Sequence, residues 1–369
     1  MSLIYFDNNA TTRLAPEAFA KMSEIFKLPL SASATHIHGQ SAISILEESR
    51  RKVKRVFNAE NYELIFTGGA SEANNMALFG CEAEVIFLSP LEHASVFYCR
   101  PNDKKFIEFG VLNSGLVDIA DLEKKLQKLQ HKNFLVTVCL ANNETGAIQN
   151  VKEIAHLTHK FGGLIFSDVV QAGGKIKIDL ANLDVDFASF SSHKMRGPQG
   201  VGALFVKKGV KINPLIHGSK QENCKRAGTH NIAGIAGFAE ACGLIDVEKY
   251  AQINLLREHL EKSLKAIAGD DVIFFADTVD RLPNTSYIGL RVGDKKQQLE
   301  DFTRHKICIS DVTGCSNGNN VGSNTLQAMK ACEQYTQNTI RVSLGVENTR
   351  AEVDKFIEVW SNFFRAQNQ

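Results

Sequence analysis

The chain has 369 residues, 44% of them hydrophobic, which is enough for a sizeable core and too many for a disordered chain. With 42 Lys+Arg against 41 Asp+Glu the net charge is +1, which excludes a globally basic nucleic-acid binder and gives no strong steering toward an acidic surface. Eight cysteines without a close-spaced CxxC pair argue against a disulfide framework and a structural zinc site, so no metal is expected and reduced thiols in a cytoplasmic compartment fit best.

The opening Ser2 to Asn9 reads as folded protein rather than a leader, and the longest apolar stretch, Phe134 to Ala141, is far too short for a membrane span. Between Gln40 and Phe57, apolar Ala42, Ile45, Leu46, Val53, Val56 and Phe57 recur at three- and four-residue spacings, the stripe of a helix packed on a sheet. Its basic end, Arg50 to Arg55, reads as a solvated face favoured by the helix dipole, with RNA or partner docking as the other reading. Strand-like runs follow at Glu63–Phe66, Val85–Leu88, Phe134–Leu140, Leu164–Phe166, Phe187–Phe190 and Val201–Val206, with amphipathic stretches between many of them. This alternation predicts an α/β fold with a mostly parallel sheet covered by helices. Past about Gly243 a charged helix over Val247–Ala268, short strands near Val272–Phe275, Ser286–Val292 and Ile307–Ser310, and a last helix over Arg350–Phe364 predict a smaller α+β domain.

Several segments carry candidate chemistry. Ser191-Ser192-His193-Lys194 follows a strand and precedes a Gly-Pro turn, so Lys194 is open to two readings: a surface lysine, or one held rigid and partly desolvated for Schiff-base chemistry. Asp168, 26 positions earlier, ends a buried strand, where open α/β sheets place ligand-contacting residues. With a Schiff-base lysine, such a carboxylate suggests the partner of a pyridoxal 5′-phosphate (PLP) ring nitrogen. Gln171 is placed to hydrogen-bond the ring's phenolic oxygen, or is a surface amide. At Thr67-Gly68-Gly69-Ala70-Ser71 a strand gives way to glycines and a helix, either a tight turn with a cap or a phosphate cradle of backbone N–H groups and the Ser71 hydroxyl. His93, after the next strand, is either structural or a stacking partner for an aromatic ring.

Together these segments resemble the cysteine desulfurases, NifS/IscS-like PLP enzymes of the class V aminotransferase group. The likeness runs from Tyr5 to about Gly345 through Tyr5-Phe6-Asp7-Asn8-Asn9-Ala10-Thr11-Thr12, Ala141-Asn142-Asn143-Glu144-Thr145-Gly146, Asp168 to Lys175, Ser192-His193-Lys194, Gln221-Glu222, Arg226-Ala227-Gly228-Thr229 and Arg341-Val342-Ser343-Leu344-Gly345. The resemblance implies a PLP-dependent transferase of fold type I, with residues 14–245 as the large PLP-binding domain and 1–13 together with 246–369 as the small one. It implies that Lys194 carries the cofactor, Asp168 pairs with the pyridinium, and His93 stacks on the ring and shuttles protons. Asn143 and Gln171 would flank the ring hydroxyl, and Ser71, Ser191 and His193 would hold the phosphate, joined by Thr229 from the second subunit of a homodimer. Arg341, with Asn143, would bind the substrate L-cysteine.

The resemblance also makes Cys315 the nucleophile, 26 residues before Arg341, and the glycines and polar residues around it suit a thiol on an exposed loop. Cys224, beside Lys225 and Arg226, is the rival thiol. Cys81, Cys139, Cys242, Cys332 and Cys308 read as inert and buried. The expected activity is conversion of L-cysteine to L-alanine, with sulfur left as a persulfide on Cys315 for an acceptor protein. Iron–sulfur cluster assembly and tRNA thiolation would use the same site. A selenocysteine lyase, a class V aminotransferase and a catalytically weak scaffold homologue are the alternatives. The last is suggested by Asp311-Val312-Thr313-Gly314 and Ser31-Ala32-Ser33-Ala34-Thr35-His36, which replace the family's Ser-Gly-Ser-Ala and Asn-Pro-Ser-Ser-x-His. The chain ends at Gln369, without the longer tail by which some members dock an iron–sulfur scaffold.

Overall fold

In a computed structural model, which describes residues 3–129, 133–312 and 323–367, twelve strands form three sheets. In chain order they are β1 (Ile4–Tyr5), β2 (Tyr62–Thr67), β3 (Val85–Leu88), β4 (Lys105–Glu108), β5 (Phe134–Thr137), β6 (Leu164–Asp168), β7 (Phe187–Ser191), β8 (Gly202–Lys207), β9 (Val272–Phe274), β10 (Thr285–Leu290), β11 (Ile307–Cys308) and β12 (Thr339–Ser343). The central sheet has seven strands in the order β2-β8-β7-β6-β5-β3-β4. Pairings from β4 through β7 are parallel, and β8 runs antiparallel to both β2 and β7.

The residues explain this layout. β3, β5 and β7 are buried along their whole length, as strands covered on both faces must be. β4, absent from the strand expectations above, puts Phe106 and Ile107 between charged Lys105 and Glu108; it is the sheet's edge, where partly exposed residues blunt the free hydrogen-bonding side. The expected strand over Phe134–Leu140 stops at Thr137; Val138 and Leu140 still donate to the Phe166 and Asp168 carbonyls of β6 before the chain enters the Asn142 turn.

The amphipathic helix spans Ile37–Val56 and buries Ala42, Leu46 and Val53. Its basic end is not simply a solvated face. Arg51 and Arg55 are exposed, but Arg50 bonds Glu222 and the Leu64 carbonyl, and Lys52 reaches Glu240. Long cationic stems can lie along a buried surface while their heads find partners, and a local charge pattern does not reveal those partners.

A second core gathers Ile4 and Phe6 with Tyr250, Leu260, Phe302, Val353, Phe356, Trp360 and Phe363. It is built from helices Val247–Ala268, Lys295–Arg304 and Arg350–Gln367 against the antiparallel sheet β12-β10-β9, with β1 pairing parallel to β11. No helix among the described residues is long and apolar enough to cross a membrane.

Candidate functional site

The C-terminal ends of the central strands converge. Thr67 at the end of β2 and Ser191 at the end of β7 both face Gly202 at the start of β8, so the Gly68-Gly69 turn and the Ser191–Lys194 turn meet across one residue. Gly202 is required there: a Cβ would stand 2.6 Å from the Gly69 carbonyl carbon and 2.7 Å from the Phe190 oxygen. Gly69 starts helix Ala70–Gly80 with no side-chain cap, which leaves first-turn N–H groups for an anion, with Ser71 exposed beside them.

Asp168 ends β6 one strand away and is buried. Its Oδ2 accepts from Asn74 Nδ2 at 3.0 Å and its Oδ1 from Val170 N at 2.9 Å. The same Asn74 amide donates to Ser95 Oγ at 2.8 Å, and Ser95 Oγ lies 2.8 Å from His93 Nδ1. Burial pushes the His93 pKa down; the Asp168 charge opposes this and Lys194 reinforces it, so His93 sits within reach of both. A second carboxyl, Glu92, is buried beside Asp168, and burial followed by that neighbouring charge holds its pKa well above the usual range. Burial and that neighbouring charge thus both disfavour the ionised form of Glu92.

Lys194 closes a single helical turn, Ser192–Lys194, after β7. Its Nζ donates to the carbonyl oxygens of Asn9 at 2.5 Å and Ala10 at 2.7 Å. His193 Nδ1 lies 3.1 Å from Thr11 Oγ1, and burial, helped by Lys194, drives its pKa down to about 4. Gln171, buried, donates Nε2 to the Asn9 carbonyl at 3.0 Å. From the second core, Arg341 reaches in to the Asn143 carbonyl at 3.0 Å and to Asp7.

Lys194, Asp168, His93, Gln171, Asn143, Arg341, Ser191 and His193 thus gather at one edge of the sheet, with Ser71 across Gly202. Thr229 does not line up with them. It is exposed and borders a groove of about 940 Å³, also lined by Ser31, Ser33, Arg50 and Glu222, that includes neither Lys194 nor Asp168. Cys315 lies outside the described residues. Among the other thiols Cys81, Cys99, Cys139 and Cys242 are buried, and Cys224 is exposed. Cys332 and Cys308 depart from the expectation of burial: Cys332 precedes the short helix Glu333–Thr336 and is exposed, and Cys308 ends a two-residue strand and is half-buried.

Sequence reading gave no role to Asn9, Asn74, Glu92 or Lys175. The only local signal was a polar residue at a position that the apolar pattern marks as inward, as for Asn74 beside Ala73 and Ala77.

Comparisons with known proteins place the chain in a family. The profile of the family described as Aminotransferase class-V matches residues 4–356. A cysteine desulfurase of Cereibacter sphaeroides is 36% identical over 97% of this chain and 95% of its own length. The cysteine desulfurase IscS of Dictyoglomus turgidum is 32% identical over 96% of this chain and 93% of its own. The solved structure of a NifS-like protein from Rickettsia africae superposes with a TM-score of 0.91 at 32% identity, covering 99% of this chain and all of that one.

Proposed function

Because the chain belongs to the class-V aminotransferase family and within it to the cysteine desulfurases, we propose that the cluster around Lys194 converts L-cysteine to L-alanine and passes the sulfur to a protein thiol. The chain is a PLP-dependent enzyme of fold type I. One observation carries the site assignment: an amine (Lys194) and a buried carboxylate (Asp168) end adjacent strands, and both act on the intervening His93.

The residues fit the cofactor. Lys194 supplies the amine that would hold it, Asp168 the anion for a protonated ring nitrogen, and His93, within electrostatic reach of both, a flat face for the ring. The uncapped start of helix Ala70–Gly80, with Ser71, Ser191 and His193, would hold the phosphate. When bound, the cofactor supplies an electron sink for the carbanion at the substrate Cα.

Arg341 would take the substrate carboxylate with its planar fork, with Asn143 alongside. Once released, the Lys194 amine would remove the Cα proton; the Asn9 and Ala10 carbonyls, which accept from it now, give it a fixed position. His93, whose proton affinity burial lowers, is suited to relay a proton to or from the substrate thiol. The Cys315 thiolate then attacks the substrate sulfur: the sulfur–sulfur bond forms as the Cβ–sulfur bond breaks, and Cβ takes a proton to give alanine. The persulfide on Cys315 passes to an acceptor thiol by exchange.

The domains in this reading are residues 14–245 and 1–13 with 246–369, a division supported by the two separate cores. We place the enzyme in the cytoplasm as a homodimer. Exposed Phe19, Phe26, Ile37 and Ile43 on the helices from Pro16 to Phe26 and from Ile37 to Val56 support the dimer, as does Thr229 standing apart as a residue for the partner's phosphate. An iron–sulfur scaffold or tRNA-thiolation protein is the proposed acceptor; the relative named IscS supports the first.

The test is alanine and sulfide release from L-cysteine by PLP-reconstituted protein with a thiol reductant, run beside Cys315→Ala. Equal yields of the two products, abolished by the substitution, support the mechanism. Alanine formation that survives Cys315→Ala overturns it.

A further inference from the structure

Lys175 is the most deeply buried amine in the region and has no part in the chemistry above. Its side chain turns back from the Gly173-Gly174 bend into the protein, leaving 1% of the residue exposed. Its Nζ donates to Gln171 Oε1 at 2.9 Å and to Asn9 Oδ1 at 2.8 Å. Both acceptors are neutral amide oxygens. The charged groups acting on the amine are cations, Lys194 and Arg341, and burial followed by these two holds its proton affinity well below that of a free lysine. Two acceptors for its N–H groups are in place.

The two acceptors bear directly on the site. Asn9 is a hub: its backbone carbonyl accepts from both Lys194 Nζ and Gln171 Nε2, its Oδ1 accepts from Lys175 and Asn284, and its Nδ2 donates to Thr285 Oγ1. Gln171 has two possible amide orientations of nearly equal shape, which only its hydrogen-bond partners distinguish. Because the Lys175 amine donates to Oε1, it favours the orientation with Oε1 inward and Nε2 toward the Asn9 carbonyl.

We propose that Lys175 is a positioning residue: by fixing the amide of Gln171 it makes that residue present an N–H donor, rather than an oxygen, to the ring oxygen of the cofactor. This rests on the PLP reading of the site. An N–H donor stabilises the anionic ring oxygen and lowers the proton affinity of the cofactor–lysine linkage beside it. Without Lys175 only the Asn9 carbonyl, already shared with Lys194, holds this orientation, and the Gln171 amide turns its oxygen to the ring more readily, where it repels that anion.

The experiment is a pH titration of the visible absorption of the cofactor in the holoenzyme, for wild type, Lys175→Met, Gln171→Ala and the double variant. Lys175→Met is expected to raise the midpoint by about one pH unit, a tenfold change in proton affinity. The double variant should then titrate like Gln171→Ala alone, because Lys175 acts through Gln171. A wild-type midpoint in Lys175→Met, or shifts that add in the double variant, overturns the proposal and leaves the PLP reading intact. A wild type with no titrating band overturns both. If Lys175→Met fails to fold or to hold the cofactor, Lys175→Gln decides: its amide can still donate to Gln171, so an unmoved midpoint supports the proposal and a shift matching Gln171→Ala overturns it.

Discussion

Arg341 and Asp7 form an ion pair inside the site: Nη2 lies 2.8 Å from Oδ1, and the arginine side chain is only 6% exposed. Nη1 is committed to the Asn143 carbonyl, whereas Nε is buried with no partner. The guanidinium is therefore oriented by the protein at both ends of its fork, with the buried Nε–H among the donors left for an incoming carboxylate. A lysine has no planar fork and cannot keep both anchors while offering a third directed donor.

Arg341→Lys is accordingly expected to raise the KM for L-cysteine at least tenfold, about 1.4 kcal/mol of lost binding, while the cofactor absorption stays that of the wild type. Steady-state alanine formation checks this. An unchanged KM would remove Arg341 from substrate binding.

Asn74 bridges Asp168 and Ser95 through one amide nitrogen, so it helps orient the carboxylate proposed to face the ring nitrogen. In Asn74→Asp that donor becomes a second carboxyl against Asp168, in a region where burial and the Asp168 charge already raise the proton affinity of Glu92. Two adjacent buried carboxyls share a proton instead of both ionising. The PLP dissociation constant should rise about tenfold or more, because the pyridinium loses an obligate anion. Fluorescence titration of the cofactor-free protein measures it, and wild-type affinity in this variant would show that Asp168 does not need its amide partner.

Lys194, Asp168 and His93 were legible in the sequence because strand and turn signals place them at the C-terminal ends of strands, and a lysine, a carboxylate and a histidine there carry distinct chemistry. The central sheet was legible for a related reason: strands buried on both faces read as continuous apolar runs, as at Val85–Leu88. What stayed hidden depends on tertiary partners. Asn9 meets Lys194 across 185 positions and Asn284 across 275, and no local pattern encodes either contact. Lys175 reads as an ordinary lysine after two glycines, yet it is enclosed. β12 contains Thr339, Arg341 and Ser343, a polar alternation that suggests one wet face; the structure buries all five residues because the second face is the site itself.

His193 links the site to acid stability. Its pKa is about 4 in the folded chain, against about 6.5 when unfolded, so the fold favours the neutral ring. The unfolded chain therefore binds a proton that the folded chain declines as pH falls through 6.5. This contribution to stability is complete above that pH and is lost progressively toward about 4. In the cofactor-free protein His193→Asn should flatten the fall of the urea midpoint between pH 7 and 4.5. An equally steep fall in the variant would assign the acid sensitivity elsewhere.

Glu222 anchors the segment that carries Thr229. Its side chain is 1% exposed; Oε2 accepts from Arg50 Nη1 at 2.8 Å and from the Phe66 amide at 3.3 Å, and Oε1 accepts from His230 at 2.8 Å. Burial alone would raise its pKa, but His230 and Arg50 more than offset this and hold it below the usual carboxylate range. The cluster also restrains strained backbone, since Glu222, Asn223 and Cys224 all adopt left-handed conformations, with φ of 47°, 54° and 65°. Such conformations in non-glycine residues cost on the order of 1 kcal/mol or more each and persist only where surrounding contacts over-determine them. Glu222→Gln keeps the shape but removes the charge opposite Arg50 and His230, so it should cost about 3 kcal/mol of stability. The loosened turn should also expose Lys220, Lys225 and Arg226 to trypsin. Urea denaturation with limited trypsin digestion tests both: a stable variant resistant at these sites would mean that the turn holds its strained geometry without the buried charge.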